Sequence, residues 1–124
     1  FGLSGPGRVK AAHFHSICQS IETMLSDPEL NLKFVATENG VSTRYLQKLF
    51  TSSDTSFSHY LRSRRLERCK ADLINPIHTG LSISEICFRW GFNGSAHFSR
   101  VFRNKYGVCP REFRRNHDHL EQDQ

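Results

Sequence analysis

The chain has 124 residues, enough for one domain or for two very small subdomains that share a core. Ten Phe, three Tyr and one Trp, within a hydrophobic content of 37%, exclude a disordered chain. No apolar run approaches the length of a membrane span, and no secretory hydrophobic segment opens the sequence, so we expect no membrane partner.

The formal net charge of +5 is unevenly distributed along the chain. Residues 44–115 carry fourteen Lys or Arg and five Asp or Glu, a net charge of +9. The preceding residues, 1–43, have a net charge of −1, and the last nine, 116–124, have −3. Charge that serves only solubility would be spread more evenly, so this pattern favours a polyanion partner such as nucleic acid or anionic lipid.

The cysteines and histidines indicate neither a disulfide framework nor a metal site. Four cysteines occur among apolar residues at helical spacing, without a C-x-x-C pair or zinc-ligand spacing: Cys18, Cys69, Cys87 and Cys109. We interpret them as reduced core thiols of an intracellular protein. The H-x-H pairs, His13/His15 and His117/His119, are interpreted as surface imidazoles. We expect no bound metal and no cofactor.

Helical periodicity runs through almost the whole chain, and no segment alternates with period two long enough to predict a sheet. The Gly-rich residues 1–8 are interpreted as a linker or a cloning remnant, and residues 116–124 as a flexible acidic tail. Between them the apolar positions predict seven helices, around residues 17–25, 32–36, 45–50, 57–73, 83–87, 98–102 and a short one at 110–113.

Capping residues set the predicted helix ends. Ser42 is expected to cap the third helix, and either Ser82 or Ser84 the fifth. Three glycines are expected to end the second, fifth and sixth helices: Gly40, Gly91 and Gly107. Pro110 is expected to open the last helix.

An internal repeat is the most informative feature of the sequence. Five positions recur 51 residues later: Leu32, Val35, Ala36, Gly40 and Val41 correspond to Ile83, Ile86, Cys87, Gly91 and Phe92. Leu46, Leu49 and Phe50 recur after 52 residues as Phe98, Val101 and Phe102, and Tyr60 recurs after 53 as Phe113. Each copy has a short helix, a small residue, a turn Gly, an apolar residue, a polar cap and a second helix.

That order of elements is typical of a helix-turn-helix. The small residue lets two helices cross closely, and the Gly supplies the positive φ of the turn. The sequence therefore predicts an all-α fold of two helix-turn-helix subdomains, residues 9–55 and 75–115, joined by a long linker helix over residues 56–74.

A helix-turn-helix places its second helix in the DNA major groove, so the outward face of each second helix is a candidate base-contacting surface. Both faces lack acidic residues, and the predicted base contacts are Arg44, Gln47, Lys48, Ser95, Ala96, His97, Ser99 and Arg100. Arg and Lys suit guanine, Gln suits adenine, and Ala can contact the thymine methyl group. The alternative is an ordinary solvated helix face.

The predicted linker helix suggests how two such units could act together. Residues 56–73 would span about 27 Å as an α-helix, which can hold two units about 34 Å, or one duplex turn, apart. We therefore hypothesise binding to two adjacent major-groove segments, with DNA bending where a straight duplex does not satisfy both.

Basic residues around these elements are candidate phosphate contacts. On the linker helix, the basic residues at 62, 64, 65 and 68 are expected either to contact phosphate or to pair with Glu67 or Asp72. Arg65 adjoins the apolar Leu66, so a structural ion pair and a phosphate contact both stay open for it. The predicted phosphate contacts are Ser42, Thr43, Arg62, Arg89, Arg103 and Lys105.

The second unit carries a recognisable signature. The segments ISEICFRWGF from Ile83, HFSRVF from His97 and YGVCPREFR from Tyr106 together resemble the signature of AraC-type transcription regulators. The resemblance covers residues 15–115 and is less tight in the first unit. It departs from the family at Asp54, where a turn Gly is common, and at Cys69 and Cys87, where Ala is usual.

The resemblance implies a bacterial, cytoplasmic and nucleoid-associated regulator, an activator by its style, that binds a promoter site in double-stranded DNA. It places the family's base-contacting positions on the eight residues given above. It also implies a further domain, usually N-terminal, that senses an effector ligand or dimerises, and it makes RNA polymerase a second candidate partner.

Two other functions compete with this interpretation. Some relatives of the fold join a DNA-repair methyl acceptor that uses an activated Cys, but no Cys here has an evident base or zinc neighbour. No Ser-His-Asp or paired-carboxylate arrangement is evident either, so we expect no enzymatic activity. The second alternative is a protein-interaction helical module whose basic face docks an acidic partner.

Overall fold

The computed structural model describes residues 6–122, with side chains described for residues 10–118. This part of the chain forms seven α-helices and contains no strand, which confirms the predicted all-α class. The helices are α1 (Pro6–Glu22), α2 (Leu32–Glu38), α3 (Thr43–Ser52), α4 (Phe57–Leu73), α5 (Ile83–Arg89), α6 (Ser95–Tyr106) and α7 (Pro110–Gln122). A short 3-10 helix, Pro76–His78, follows α4.

The chain divides into two compact units, and the boundary lies inside α4, between Arg64 and Arg65. The first unit contains α1, α2, α3 and the first half of α4, whereas the second contains the rest of α4 and α5, α6 and α7. Each unit therefore ends or begins within the helix that the sequence predicts as a linker.

The core of the first unit is built around Phe50 on α3, which is fully buried. Its ring meets those of Phe14, Phe57 and Tyr60, with centroids 5.1, 5.9 and 5.6 Å away. Aromatic pairs at these separations stabilise a core beyond the burial of their apolar area. Aliphatic side chains complete this core: Ile17, Ile21, Leu25, Leu30, Val35, Leu46, Leu49 and Leu61.

The second unit has its own aromatic core, in which Phe102 of α6 is central and fully buried. The Phe102 ring centroid lies 5.7 Å from those of Phe98 and Phe113 and 4.7 Å from that of Tyr106. Smaller side chains fill the space between these rings and the neighbouring helices: Leu66, Cys69, Leu73, Ile86 and Cys87. Cys69 and Cys87 thus occupy core positions, as predicted.

Helix caps follow the expected chemistry. The Ser42 hydroxyl accepts a hydrogen bond from the backbone N–H of Tyr45 at 3.0 Å. Ser82, not Ser84, caps α5, and Glu85 completes a reciprocal capping box with it. Gly107, with φ +83°, ends α6 in the left-handed conformation.

Asp54 forms the turn after α3 in place of the Gly that is common at this position in the family. It is the one non-glycine residue with positive φ, +57°, in the part of the chain that the structure describes. Its backbone N–H donates to the carbonyl of Thr51 at 3.0 Å. Asp is among the few residues that enter this region readily, so the turn does not depend on Gly.

Helices occupy the described part of both predicted terminal segments. Residues 1–5 of the proposed linker lie outside the described residues, but residues 6–8 belong to α1 because Pro6 is well suited to a first helical position. At the other end, α7 is longer than predicted and continues to Gln122, so residues 116–122 are helical. His117 stacks on Phe113, with ring centroids 4.2 Å apart, and this contact extends the packed part of α7.

Candidate nucleic-acid interface

The two repeated turns have the same backbone geometry. The carbonyl of Ala36 accepts from the N–H of Val41 at 3.0 Å, and the carbonyl of Cys87 accepts from the N–H of Phe92 at 3.1 Å. The intervening glycines, Gly40 and Gly91, have φ of +65° and +89°. Since these are equivalent positions of the repeat, each unit contains one helix-turn-helix, formed by α2 and α3 or by α5 and α6.

Helix α3 buries one face and exposes the other. Leu46, Leu49 and Phe50 are buried, and the predicted base-contacting side chains lie on the opposite face: Arg44, Gln47 and Lys48, all exposed. None of these three side chains has a hydrogen bond or ion pair with another residue in the described part of the chain. They are therefore available for an external ligand.

The outer face of α6 is arranged differently. Ala96, His97 and Arg100 are exposed, whereas Ser95 and Ser99 are half-buried. A guanidinium nitrogen of Arg100 lies 3.1 Å from Nδ1 of His97, so the tautomer that carries its proton on Nε2 accepts a hydrogen bond from Arg100. The structure thus brings together two of the predicted base contacts before any DNA is present.

The predicted phosphate contacts fall into two groups. Arg62 and Arg103 are exposed, and neither side chain has a partner among residues 10–118. By contrast, the Nε of Arg89 lies 3.9 Å from a carboxylate oxygen of Asp72, and the Nζ of Lys105 lies 3.3 Å from Glu67. If Arg89 and Lys105 contacted phosphate, each would have to leave its carboxylate partner within the chain.

Ser42 and Thr43, also predicted phosphate contacts, lie exposed at the start of α3. Although the Ser42 oxygen accepts the capping bond, its hydroxyl proton can still be donated to an anion. The two residues thus add potential donors beside the N-terminal end of the helix that carries Arg44.

The four arginines at the centre of α4 have different environments. Arg64 pairs with Glu22 of α1 and so joins two helices of the first unit. Arg65 is buried, with its guanidinium against Gly91. Arg68 lies 5.7 Å from the ring centroid of Trp90. Burial therefore favours a structural role for Arg65, and Arg62 is exposed with no side-chain partner among residues 10–118.

Arg114 has a role that helical spacing did not indicate. Its guanidinium donates to three backbone carbonyls, those of Leu73 at 3.1 Å, His78 at 2.8 Å and Leu81 at 2.6 Å. These carbonyls lie at the end of α4 and in the segment that leads to α5. Arg114 therefore fixes the entry into the second helix-turn-helix.

The thiols show no sign of activation. All four cysteines are free, and burial raises the pKa of Cys18, Cys69 and Cys87 above the ordinary thiol value. A raised pKa lowers the thiolate fraction at neutral pH, whereas a nucleophilic Cys needs a lowered one. Within the described residues, no group of three or more His, Cys, Asp or Glu side chains could hold a metal ion.

Comparisons with known proteins agree with this geometry. A family profile described as a helix-turn-helix domain matches residues 35–116. The C-terminal domain of AraT, a response regulator from Geobacillus stearothermophilus, superposes with a TM-score of 0.75 at 31% identity, over 94% of this chain and 88% of that one. The chain belongs to the AraC-type helix-turn-helix family. Another similar structure is an AraC-type regulator from Chromobacterium violaceum, at 30% identity and TM-score 0.72, covering 86% of this chain and 96% of that one.

Curated relatives of this AraC-type domain are transcription regulators. The activator RhrA of Rhizobium meliloti is 37% identical over 100 residues, which are 81% of this chain and 32% of RhrA. The activator NphR of a Rhodococcus species is 34% identical over 97 residues, 78% of this chain and 28% of NphR. The chain thus spans about a third of the length of these relatives. No helix within residues 6–122 is both long and apolar enough to cross a membrane.

Proposed function

We propose that this AraC-type domain binds double-stranded DNA sequence-specifically, with α3 and α6 each entering the major groove. The observation that carries the proposal is the repeated turn, which in both units is followed by a helix with a buried apolar face and an exposed face free of acids. Two such surfaces in one short chain are what recognition of a bipartite site requires.

Base contacts are assigned from the chemistry of the exposed side chains. Arg44 and Lys48 on α3 and Arg100 on α6 would donate to guanine, and Gln47 would form a paired contact with adenine. Three polar side chains of α6 would add single hydrogen bonds to base edges: Ser95, His97 and Ser99. Ala96 would contact a thymine methyl group, since it is exposed and apolar.

Phosphate contacts would set the register of each unit on the duplex. Ser42, Thr43, Arg62 and Arg103 would reach phosphate directly. Arg89 and Lys105 would do so by exchanging their carboxylate partners, Asp72 and Glu67, for a phosphate oxygen. The contacts of Arg62 and Arg103 should therefore depend on salt more steeply than those of Arg89 and Lys105.

The two units would occupy boxes about 34 Å apart, or one helical turn of the duplex. In this arrangement residues 9–55 and 75–115 would carry the base contacts, and residues 56–74, which include Arg62, would connect them. A straight duplex that does not satisfy both units would bend, at a cost of a few kcal/mol that depends on sequence.

A larger regulatory role follows from the relatives. Because RhrA and NphR are named transcriptional activators, we infer that this domain serves a bacterial activator that acts in the cytoplasm on nucleoid DNA. An effector ligand would act through a separate sensing domain, and RNA polymerase would be contacted at the promoter. The domain itself would have no enzymatic activity, which the raised thiol pKa values support.

Selection of bound sequences from a random duplex pool tests the proposal directly. Recovery of two boxes about one turn apart supports it, a single box restricts base contact to one unit, and no enriched sequence contradicts it. Lys48→Ala and Arg100→Ala should each weaken the sequence preference at one box, and Arg62→Ala should leave the sequence preference at both boxes unchanged. Binding to an acidic protein but not to DNA at physiological salt would favour an interaction module instead.

A further inference from the structure

Three polar residues of α4 share one helix face and contact the turn of the second unit. Arg65, Arg68 and Asp72 are spaced i, i+3 and i+7, so they lie along one stripe of the helix. Their contacts converge on Trp90, which is the C-cap residue of α5, and on Gly91, which is the glycine of the turn. We call these three residues the α4 clamp.

Arg65 forms the part of the α4 clamp that touches the backbone of the turn. It is only 9% exposed, and its guanidinium atoms lie 2.9–3.0 Å from the point where a Cβ on Gly91 would stand. A Cβ at position 91 is therefore opposed twice, by the φ of +89° and by the guanidinium of Arg65, which would have to move. In the first unit, by contrast, a Cβ on Gly40 would meet nothing within 4 Å.

Asp72 and Arg68 hold the neighbouring Trp90. The indole N–H of Trp90 donates to a carboxylate oxygen of Asp72 at 2.7 Å, and Asp72 is only 8% exposed. The guanidinium of Arg68 lies over the indole ring at 5.7 Å from its centroid. A buried carboxylate that accepts a short hydrogen bond is costly to leave without its donor, so this contact strongly restricts where Trp90 can lie.

The position of this turn determines the position of α6. Only three residues separate Gly91 from Ser95, the first residue of α6, and the N–H of Phe92 is already bonded to the carbonyl of Cys87. The carboxylate of Asp72 also lies 3.9 Å from the Nε of Arg89, at the end of α5. A shift of Trp90 would therefore be passed on to the helix that carries Arg100.

We propose that Arg65, Arg68 and Asp72 are positioning residues that clamp Trp90 and Gly91 and so fix α6 for base contact. This inference rests on the proposed function, because it assigns a role in DNA recognition to residues that do not touch DNA. At the equivalent position of the first unit, Asn39 donates instead to the Ser20 hydroxyl of α1 at 3.4 Å.

The test uses Asp72→Ala, Trp90→Phe and their double variant, with Ile86→Val as a control that loosens the same core without touching the α4 clamp. The first readout is amide hydrogen exchange over residues 91–95, compared with exchange in α7. The second is the Kd for a site altered only in the box of the second unit, divided by the Kd for the selected site. Asp72→Ala should lower this ratio about tenfold.

Both single variants remove the same hydrogen bond, so the double variant should lose little more than either one. Asp72→Asn keeps an acceptor for the indole but loses the charge, so it should restore discrimination between boxes. It should not weaken binding to random DNA, because Arg89 no longer has a carboxylate partner to leave. The expected result is faster exchange over residues 91–95 and lower discrimination in Asp72→Ala, with neither change in Ile86→Val.

Unchanged exchange over residues 91–95 in Asp72→Ala would overturn the α4 clamp, whatever happens to DNA binding. The α4 clamp would also be overturned if the double variant lost the sum of the two single losses in discrimination, or if Ile86→Val changed exchange and discrimination as much as Asp72→Ala. Either result would mean that these contacts only contribute to the overall stability of the unit. If the parent protein binds no duplex preferentially, its proposed function fails, and the exchange data separately decide whether the α4 clamp positions α6.

Discussion

The two helix-turn-helix units share a backbone turn but differ in what supports it. In the first unit, the amide of Asn39 donates to the Val35 carbonyl at 2.8 Å and to the Ser20 hydroxyl at 3.4 Å, and Gly40 is open to solvent. In the second, Trp90 donates to the buried carboxylate of Asp72, and Gly91 is buried. Both turns therefore have a polar contact at the residue before the glycine, to a neutral hydroxyl in the first unit and to a buried carboxylate in the second.

The side chains proposed to contact DNA bases differ in the same sense. On α3, the side chains of Arg44, Gln47 and Lys48 have no partner in the described part of the chain, whereas on α6 Arg100 is bonded to His97. Ordering a long, unrestrained side chain on binding costs conformational entropy. The first unit should therefore lose more entropy on binding DNA, and the second should be closer to its bound form beforehand.

The largest expected difference between the units concerns their turn glycines. Gly91→Ala should cost about 3 kcal/mol, because it combines a strained φ with overlap on the buried Arg65. Gly40→Ala has only the φ penalty and should cost about 1 kcal/mol. Thermal unfolding followed by circular dichroism should show Tm losses of about 10 °C and about 4 °C.

A paired variant separates the two causes. In an Arg65→Ala background, the additional loss from Gly91→Ala should fall to the value measured at Gly40. Gly80→Ala, at a glycine with open space around it, serves as the control. Equal Tm losses at Gly40 and Gly91 in the parent background would show that Arg65 does not constrain the turn.

Loss of a proposed base contact should give the next largest effect, and each variant should weaken binding only at the box of its own unit. Lys48→Ala should cost about 1–3 kcal/mol at the box of the first unit, and Arg100→Ala a similar amount at the box of the second. Titrations against duplexes altered in one box at a time measure both. If either variant weakened both boxes equally, its side chain would contact phosphate and not a base.

The sequence predicted the shared features of the units better than their differences. The internal repeat revealed both turns in the sequence, because the turn Gly and the small residue that precedes it recur in each copy. The α4 clamp has no such pattern in the sequence. Asp72 and Trp90 are 18 residues apart, and polar side chains do not identify the buried face of a helix. The pair His97 and Arg100, spaced i, i+3 on one helix, could have been predicted from spacing alone.

Helix ends show the same limit. Residues 116–122 were predicted as a flexible tail from their polarity, but α7 continues through them, and the ring contact between Phe113 and His117 lies just where the tail was expected to begin. Asp54 stands where a turn Gly is common in the family, and it adopts the left-handed conformation itself. In both places one specific contact or conformation, not composition, decided the local structure.

Salt dependence distinguishes free cations from paired ones. Arg62→Ala should lower the slope of log K against log salt by about 1, because Arg62 contributes an unpaired charge to phosphate. Lys105→Ala should change the slope less, because Lys105 is released from Glu67 when it meets phosphate. Measurements on random duplex DNA isolate the contribution of the phosphate contacts. A slope change for Lys105→Ala as large as that for Arg62→Ala would contradict the distinction between a free Arg62 and a paired Lys105.

The smallest effect concerns the thiols, whose reactivity should follow burial and differ between the units. Burial raises the pKa of Cys69 and Cys87 in the second unit and of Cys18 in the first, where the thiol is half-buried. At pH 7 each should therefore react with iodoacetamide more slowly than an unfolded Cys control, and Cys18 should react before the other two. Rates should rise with pH beyond the range in which the unfolded control levels off, because the thiolate is the reacting form. Mass spectrometry of the digested protein assigns each rate to its residue. A fast, stoichiometric reaction at one Cys at neutral pH would restore the methyl-acceptor alternative, because no buried protonated thiol could produce it.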